Sequence, residues 1–89
     1  MTELQEVLRG QISLREIYKN QEFTKLKRIR FEAVKHGFKS DSQFIGWDEE
    51  TPYLIDKIGI DEILGINEDL LEQLELFINH LNRSNYGNV

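Results

Sequence analysis

The stretch Asn67-Glu-Asp-Leu-Leu-Glu-Gln-Leu-Glu-Leu-Phe-Ile-Asn-His-Leu-Asn82 decides the fold. Leu70, Leu74, Phe77 and Leu81 recur at a 4-3-4 spacing, the period of one face of an α-helix, and Leu71 and Ile78 widen that face. Asn67 stands at a predicted N-cap, with Glu68 and Asp69 in the first turn, where negative charge suits the helix dipole. The pattern predicts a helix over residues 68–82, roughly 22 Å long at 1.5 Å per residue. So wide an apolar face has to be covered by the rest of the chain, by a partner or by a second copy. Leu70, Leu74, Phe77 and Leu81 are therefore the candidate partner or homodimer face.

Before this stretch, glycines at 10, 37, 59 and 65 divide the chain and read as helix terminators. Thr2 is placed to cap a short helix over 3–9, with Leu4, Val7 and Leu8 on one side. Ser13 and Glu16 have the spacing of a capping box, ahead of Leu14, Ile17 and Tyr18. Residues 22–36 predict a longer helix with Phe23, Leu26, Ile29, Ala33 and Val34 on its apolar side. Phe31 lies at the margin of that arc. Lys27 and Arg30 fall inside it, so they either snorkel outward or meet acids from elsewhere in the chain.

Residues 38–50 predict helix or irregular structure, with a short β-hairpin as the alternative because aromatic and β-branched residues tolerate it. Thr51-Pro52 is a helix start, a hydroxyl N-cap followed by Pro at the first helical position. That helix runs to Lys57 or Ile58 and closes at Gly59, and Asp61 caps one further turn before Gly65. The expectation is an all-α fold, a compact bundle of four to six short helices with the longest at the C-terminus. It reads as a single helical domain over 1–82 followed by a flexible polar tail over 83–89.

Composition agrees. Of the 89 residues 39% are hydrophobic and 30% charged, enough apolar matter for a core and too much for a disordered acidic chain. There is no cysteine, hence neither a disulfide framework nor a thiolate metal site. No apolar run exceeds three residues (Tyr53-Leu54-Ile55), which excludes a transmembrane helix, and Met-Thr-Glu-Leu-Gln-Glu lacks the basic start and apolar block of a secretory signal. The sequence thus predicts a small soluble cytoplasmic domain with no membrane contact.

The net charge of −5 conceals a division. Residues 1–40 carry nine Lys/Arg against five Asp/Glu, and residues 41–89 carry two against eleven. Either the halves pack together and partly neutralise each other, or the split marks a polyanion partner or self-complementarity. The basic stretch Lys25, Lys27, Arg28, Arg30, Lys35, Lys39 is interrupted only by Glu32, and Lys25, Arg28, Lys35 and Lys39 are the candidate anion or nucleic-acid contacts. Residues 13–18 followed by a helix from Phe23 have the outline of a helix-turn-helix. The outline is imperfect: Tyr18 stands where such motifs place a small residue, and Asn20-Gln21-Glu22 where they place a Gly. A sequence pI near 5.0 also counts against nucleic acid.

Motifs for catalysis are missing. There is no nucleophile elbow and no Gly-rich phosphate loop. His36 and His80 are far apart and lack ligand spacing, and each falls near a predicted helix C-terminus, where positive charge is favourable. Asp48-Glu49-Glu50 could attract a hard cation but lacks the alternation and glycine turn of a Ca²⁺ loop; such acids more often precede a helix N-terminus. Phe38, Phe44, Trp47 and Tyr53 form either one core cluster or an exposed contact site. The sequence therefore predicts no enzyme, no cofactor and no metal. It predicts a regulatory or adaptor domain acting by protein–protein contact, as a homodimer or with another protein. The alternative is a nucleic-acid-binding regulator using the basic helix 22–39. A third reading has the acidic second half occupying a basic site on another protein.

Overall fold

The computed structural model describes residues 2–46 and 48–83. It is all-α: five helices, with no strand among the described residues. They are α1 (Glu3–Leu8), α2 (Leu14–Lys19), α3 (Phe23–Lys35), α4 (Thr51–Ile58) and α5 (Ile60–Arg83).

The first three helices follow the local signals. Thr2 caps α1 in a full capping box: its Oγ1 accepts from the Gln5 N–H while Gln5 Oε1 accepts from the Thr2 N–H. Ser13 occupies the N-cap of α2, but its hydroxyl makes no capping bond. Gly10 and Gly37 take positive φ (73° and 108°) where the chain leaves α1 and α3. The turn between α2 and α3 puts Gln21 at φ 59°, the left-handed conformation that a helix-turn-helix usually assigns to glycine. Val34, expected on the apolar side of α3, is 41% exposed; Phe23, Leu26, Ile29 and Ala33 are buried.

The core joins Leu4 of α1, Leu14 and Ile17 of α2 and the buried face of α3 to Leu70, Leu71, Leu74 and Ile78 of α5. Phe38 and Phe44 of the connecting segment enter the same cluster. That segment, 38–46, is neither helix nor hairpin. It is held from outside. Asn67, 1% exposed, brackets the backbone of Ile45: the Ile45 N–H donates to Asn67 Oδ1 (2.7 Å) and Asn67 Nδ2 donates to the Ile45 carbonyl (2.8 Å). One residue on, Gly46 runs so close to α3 that a Cβ there would lie 2.9 Å from Phe23 Cβ.

This attachment explains the main departure from the sequence expectation. Asn67 is not an N-cap, and Gly65 does not end a helix; both lie inside the 24-residue α5, about 36 Å long. A mid-helix glycine costs about 1 kcal/mol. Burial of Ile63, Asn67, Leu70 and Leu71 along one continuous face outweighs it. Gly59, at φ 89°, is the break between α4 and α5. Thr51 also differs from its expected role. It is buried, and its hydroxyl bonds backward, lying against the Gly46 carbonyl and accepting from the Asp48 N–H (3.0 Å), so it ties the turn ahead of α4 instead of capping the helix forward. At the other end Arg83, read as the first residue of a tail, is the last residue of α5; residues 84–89 of the expected tail lie outside the described residues.

Asn67→Ala is expected to lower stability by about 2–3 kcal/mol, because it strands the N–H and the C=O of part-buried Ile45. Asn67→Asp, which keeps the acceptor and loses the donor, is expected to fall short of wild type as well. Urea-denaturation midpoints of the three proteins check both.

Candidate functional site

The α4–α5 hairpin is the part of the fold that its own chain covers least. Pro52 sits in the first turn of α4, and Gly59 turns the chain directly into α5. At 100° per residue Thr51, Leu54, Ile55 and Ile58 share one side of α4, while Ile60, Ile63, Leu64 and Asn67 share one side of α5. The ends of these faces nearest the body are closed, with Thr51, Ile63 and Asn67 buried. The distal ends are open: Ile55, Ile58, Ile60 and Leu64 are 36–42% exposed. The cause is geometric. The core cluster takes in α5 from Leu70 onward, and the main packing of α4 is on α5. Tyr53, on the opposite side of α4, is also exposed, with Lys57 Nζ 5.3 Å from its ring centre.

This apolar end is set in acid. Between Asp48 and Asp69 the chain holds eight carboxylates and one cation, Lys57. Asp48 pairs with Lys27 (2.7 Å) and Glu68 with Arg15 (3.1 Å). Glu49, Glu50, Asp56, Asp61 and Glu62 are exposed and make no ion pair with a described residue.

The expected partner face lies elsewhere. Leu70, Leu74 and Leu81 are buried within the chain's own bundle, and Phe77 is half-buried with its ring 5.2 Å from that of Phe38. The helical period marked the side of α5 that Leu70, Leu74 and Leu81 bury against the same chain, while Phe77 keeps part of its surface exposed. Leu76, on the outer side of α5, is 65% exposed.

The basic stretch on α3 is largely engaged. Lys25 pairs with Glu22 (2.7 Å) and Arg28 with Glu3 (2.6 Å). Lys35 stands over the Phe31 ring (4.8 Å), and exposed Lys39 makes no ion pair with a described residue. The two cations inside the apolar arc turn toward the connecting segment, Lys27 to Asp48 and Arg30 to the Ser40 carbonyl (3.4 Å). Arg15, which the sequence did not single out, bridges Glu68 and Glu75 of α5. The oppositely charged halves therefore meet, at Arg15 and at Lys27.

Asp48, the first of the three adjacent acids, is an organiser of the turn. One carboxylate oxygen takes Lys27 and the other accepts from the Glu50 N–H (3.1 Å). The bond from Lys27, joined by the Glu50 N–H and the Thr51 hydroxyl, holds its carboxyl below the usual range. His36 follows the last turn of α3 and His80 is in the last turn of α5. No three His, Asp or Glu side chains converge as metal ligands among the described residues. The aromatic group divides: Phe38 and Phe44 are core, Tyr53 is exposed, and Trp47 lies outside the described residues. Among the described residues no helix is long and apolar enough to cross a membrane.

No protein-family model, curated protein or solved structure matches this chain.

Two measurements check this account. Leu74→Ala is expected to cost about 2–5 kcal/mol, and by the same amount at every protein concentration, as a core residue should; a dimer-face residue would give a concentration-dependent loss. The depressed carboxyl of Asp48 contributes stability that is present above the ordinary carboxylate range and is lost as pH falls through its lowered value. Asp48→Asn should therefore flatten the acid limb of urea midpoints taken from about pH 6 to about pH 2, and leave the slope above that range unchanged.

Proposed function

We propose that this chain is a small cytoplasmic regulatory or adaptor domain that acts by binding another protein, without a catalytic site or cofactor of its own. The observation that carries the reading is the open distal end of the α4–α5 hairpin, where Ile55, Ile58, Ile60 and Leu64 stay exposed together. Scattered surface apolar residues need no explanation; several at one end of one supersecondary unit mark a contact site. On this reading the contact lies on α4 and the first two turns of α5, ahead of the 68–82 stretch, and not on the Leu70–Leu81 face suggested by the sequence.

The nucleic-acid reading draws less from this geometry. Lys25, Lys27 and Arg28 each face a carboxylate at 2.6–2.7 Å. A phosphate backbone would have to displace those acids before gaining the counterion-release term.

The test is photo-crosslinking in cells that express the protein, with a photoreactive residue in place of Leu64 and, separately, in place of Thr24 on the outer side of α3. The expected result is one partner protein crosslinked from position 64, absent from position 24 and lost when Ile58→Asp is added. Crosslinks from position 24 alone, or none to another protein, would overturn the reading.

A further inference from the structure

We propose that the occupant of the α4–α5 hairpin is a cationic amphipathic helix of a partner protein, laid against the exposed apolar end with its Lys or Arg side chains meeting the surrounding acids. The proposal rests on the reading of the hairpin as a protein-binding site and adds the chemistry of what binds.

Three observations select this occupant. The first is charge. Asp56, Asp61 and Glu62 are exposed on the turns that carry the apolar end, Glu49 and Glu50 add negative charge at the start of α4, and the nearby cation, Lys57, is engaged with Tyr53 at both its hydroxyl (2.9 Å) and its ring. A second copy brought against the same face would set these acids against their own equivalents, and like charges across an interface are costly. An anionic lipid surface or a nucleic acid is disfavoured on the same ground. A cationic segment is complementary, and its long aliphatic stems can lie along Ile55 and Ile58 while their heads reach the carboxylates.

The second observation is shape. Two short helices joined by one glycine leave adjoining apolar faces uncovered at one end, and a third helix completes such a pair by the side-chain interdigitation that packs any helix on another. A β-strand partner finds no edge to extend among the described residues. The third is the depth of the exposed residues. Each of the four is more than half covered already, so the surface is preformed and little ordering opposes binding.

The test uses the intact protein and a synthetic peptide of about 14 residues, roughly 21 Å of helix, with Leu at helical spacing and Lys elsewhere. A second peptide carries Glu in place of every Lys. Binding is read by fluorescence anisotropy, and the site by amide chemical-shift changes. The expected result is saturable binding of the Lys peptide with shifts confined to the hairpin. Affinity should fall about tenfold or more between low and high salt, because exposed charges are screened. Leu64→Ser should weaken binding about tenfold, and the double variant Asp56→Asn, Asp61→Asn should reduce the salt dependence. Circular dichroism of each variant checks that it folds.

Equal binding of both peptides, or shifts centred on α3, would overturn the proposal. So would concentration-dependent dimerisation through the hairpin in the absence of peptide. Binding of the Glu peptide alone would overturn the cationic assignment while leaving the hairpin as a protein-binding site. Failure of the crosslinking experiment at Leu64 is the separate result that would remove the underlying reading.

Discussion

A helix-borne amide holding both backbone polar groups of one residue sets the connecting segment and the start of α4 in place. Residues 38–46 have no ladder or helix of their own to satisfy their backbone, yet they cross the face of the core with Phe38 and Phe44 buried. Buried backbone polar groups have to be paired, and Asn is the side chain that offers a donor and an acceptor in the arrangement of a peptide. Asn67 supplies both to Ile45. With Ile45 fixed, its neighbours have little freedom. Phe44 enters the core, Gly46 passes against Phe23, Asp48 reaches Lys27, and the Thr51 hydroxyl closes the turn from which α4 starts. The direction of α4 thus depends on a contact made on α5, the helix that α4 then packs against.

The charge division takes on a physical meaning in this frame. The acidic and basic halves do pack together, and Arg15 and Lys27 reach across to Glu68, Glu75 and Asp48. All of these pairs are substantially exposed, and exposed pairs contribute at most about 1 kcal/mol each. Their effect is better described as placement. They bring positive charge to the side of α5 and to the start of the hairpin, and leave the excess of carboxylates on the hairpin itself. The same acids near the α5 N-terminus also complement its dipole, a stabilising position that requires no partner.

Much of this was legible in the sequence. The caps and glycines placed α1, α3 and α4 to within a residue or two, because Thr2, Gly10, Gly37 and Gly59 act on their immediate neighbours, while the end of α2 carried no such signal. The period of Leu70, Leu74 and Leu81 marked the inward side of α5. What could not be read locally was the role of Asn67 and Gly65. Asn ahead of two acids is a good N-cap, and Gly is a good terminator; each signal is real as a local preference. The preference was overridden by a bond to a peptide 22 residues away and by a buried stripe that runs through both positions. The same holds for Thr51, whose hydroxyl had a forward and a backward partner available, and for the basic helix, where composition shows the cations but not the carboxylates opposite them.

Helix length explains why an apolar surface is left over at all. The body is built from helices of six, six and thirteen residues against one of twenty-four. At 1.5 Å per residue α3 spans about 20 Å while α5 spans about 36 Å. No helix of the N-terminal body is long enough to accompany α5 along its full length, and the long axis of 46 Å against widths of 22 and 18 Å reflects that mismatch. Among the described residues the eight-residue α4 is the helix that packs on the projecting turns, and it brings its own apolar side. Two amphipathic helices can shield each other along one seam only, so Ile63 is sealed while Ile55, Ile58, Ile60 and Leu64, at the flanks and far end, are not. Each of the four is still more than half covered, so each contributes to the α4–α5 seam with one part of its surface and leaves the rest open.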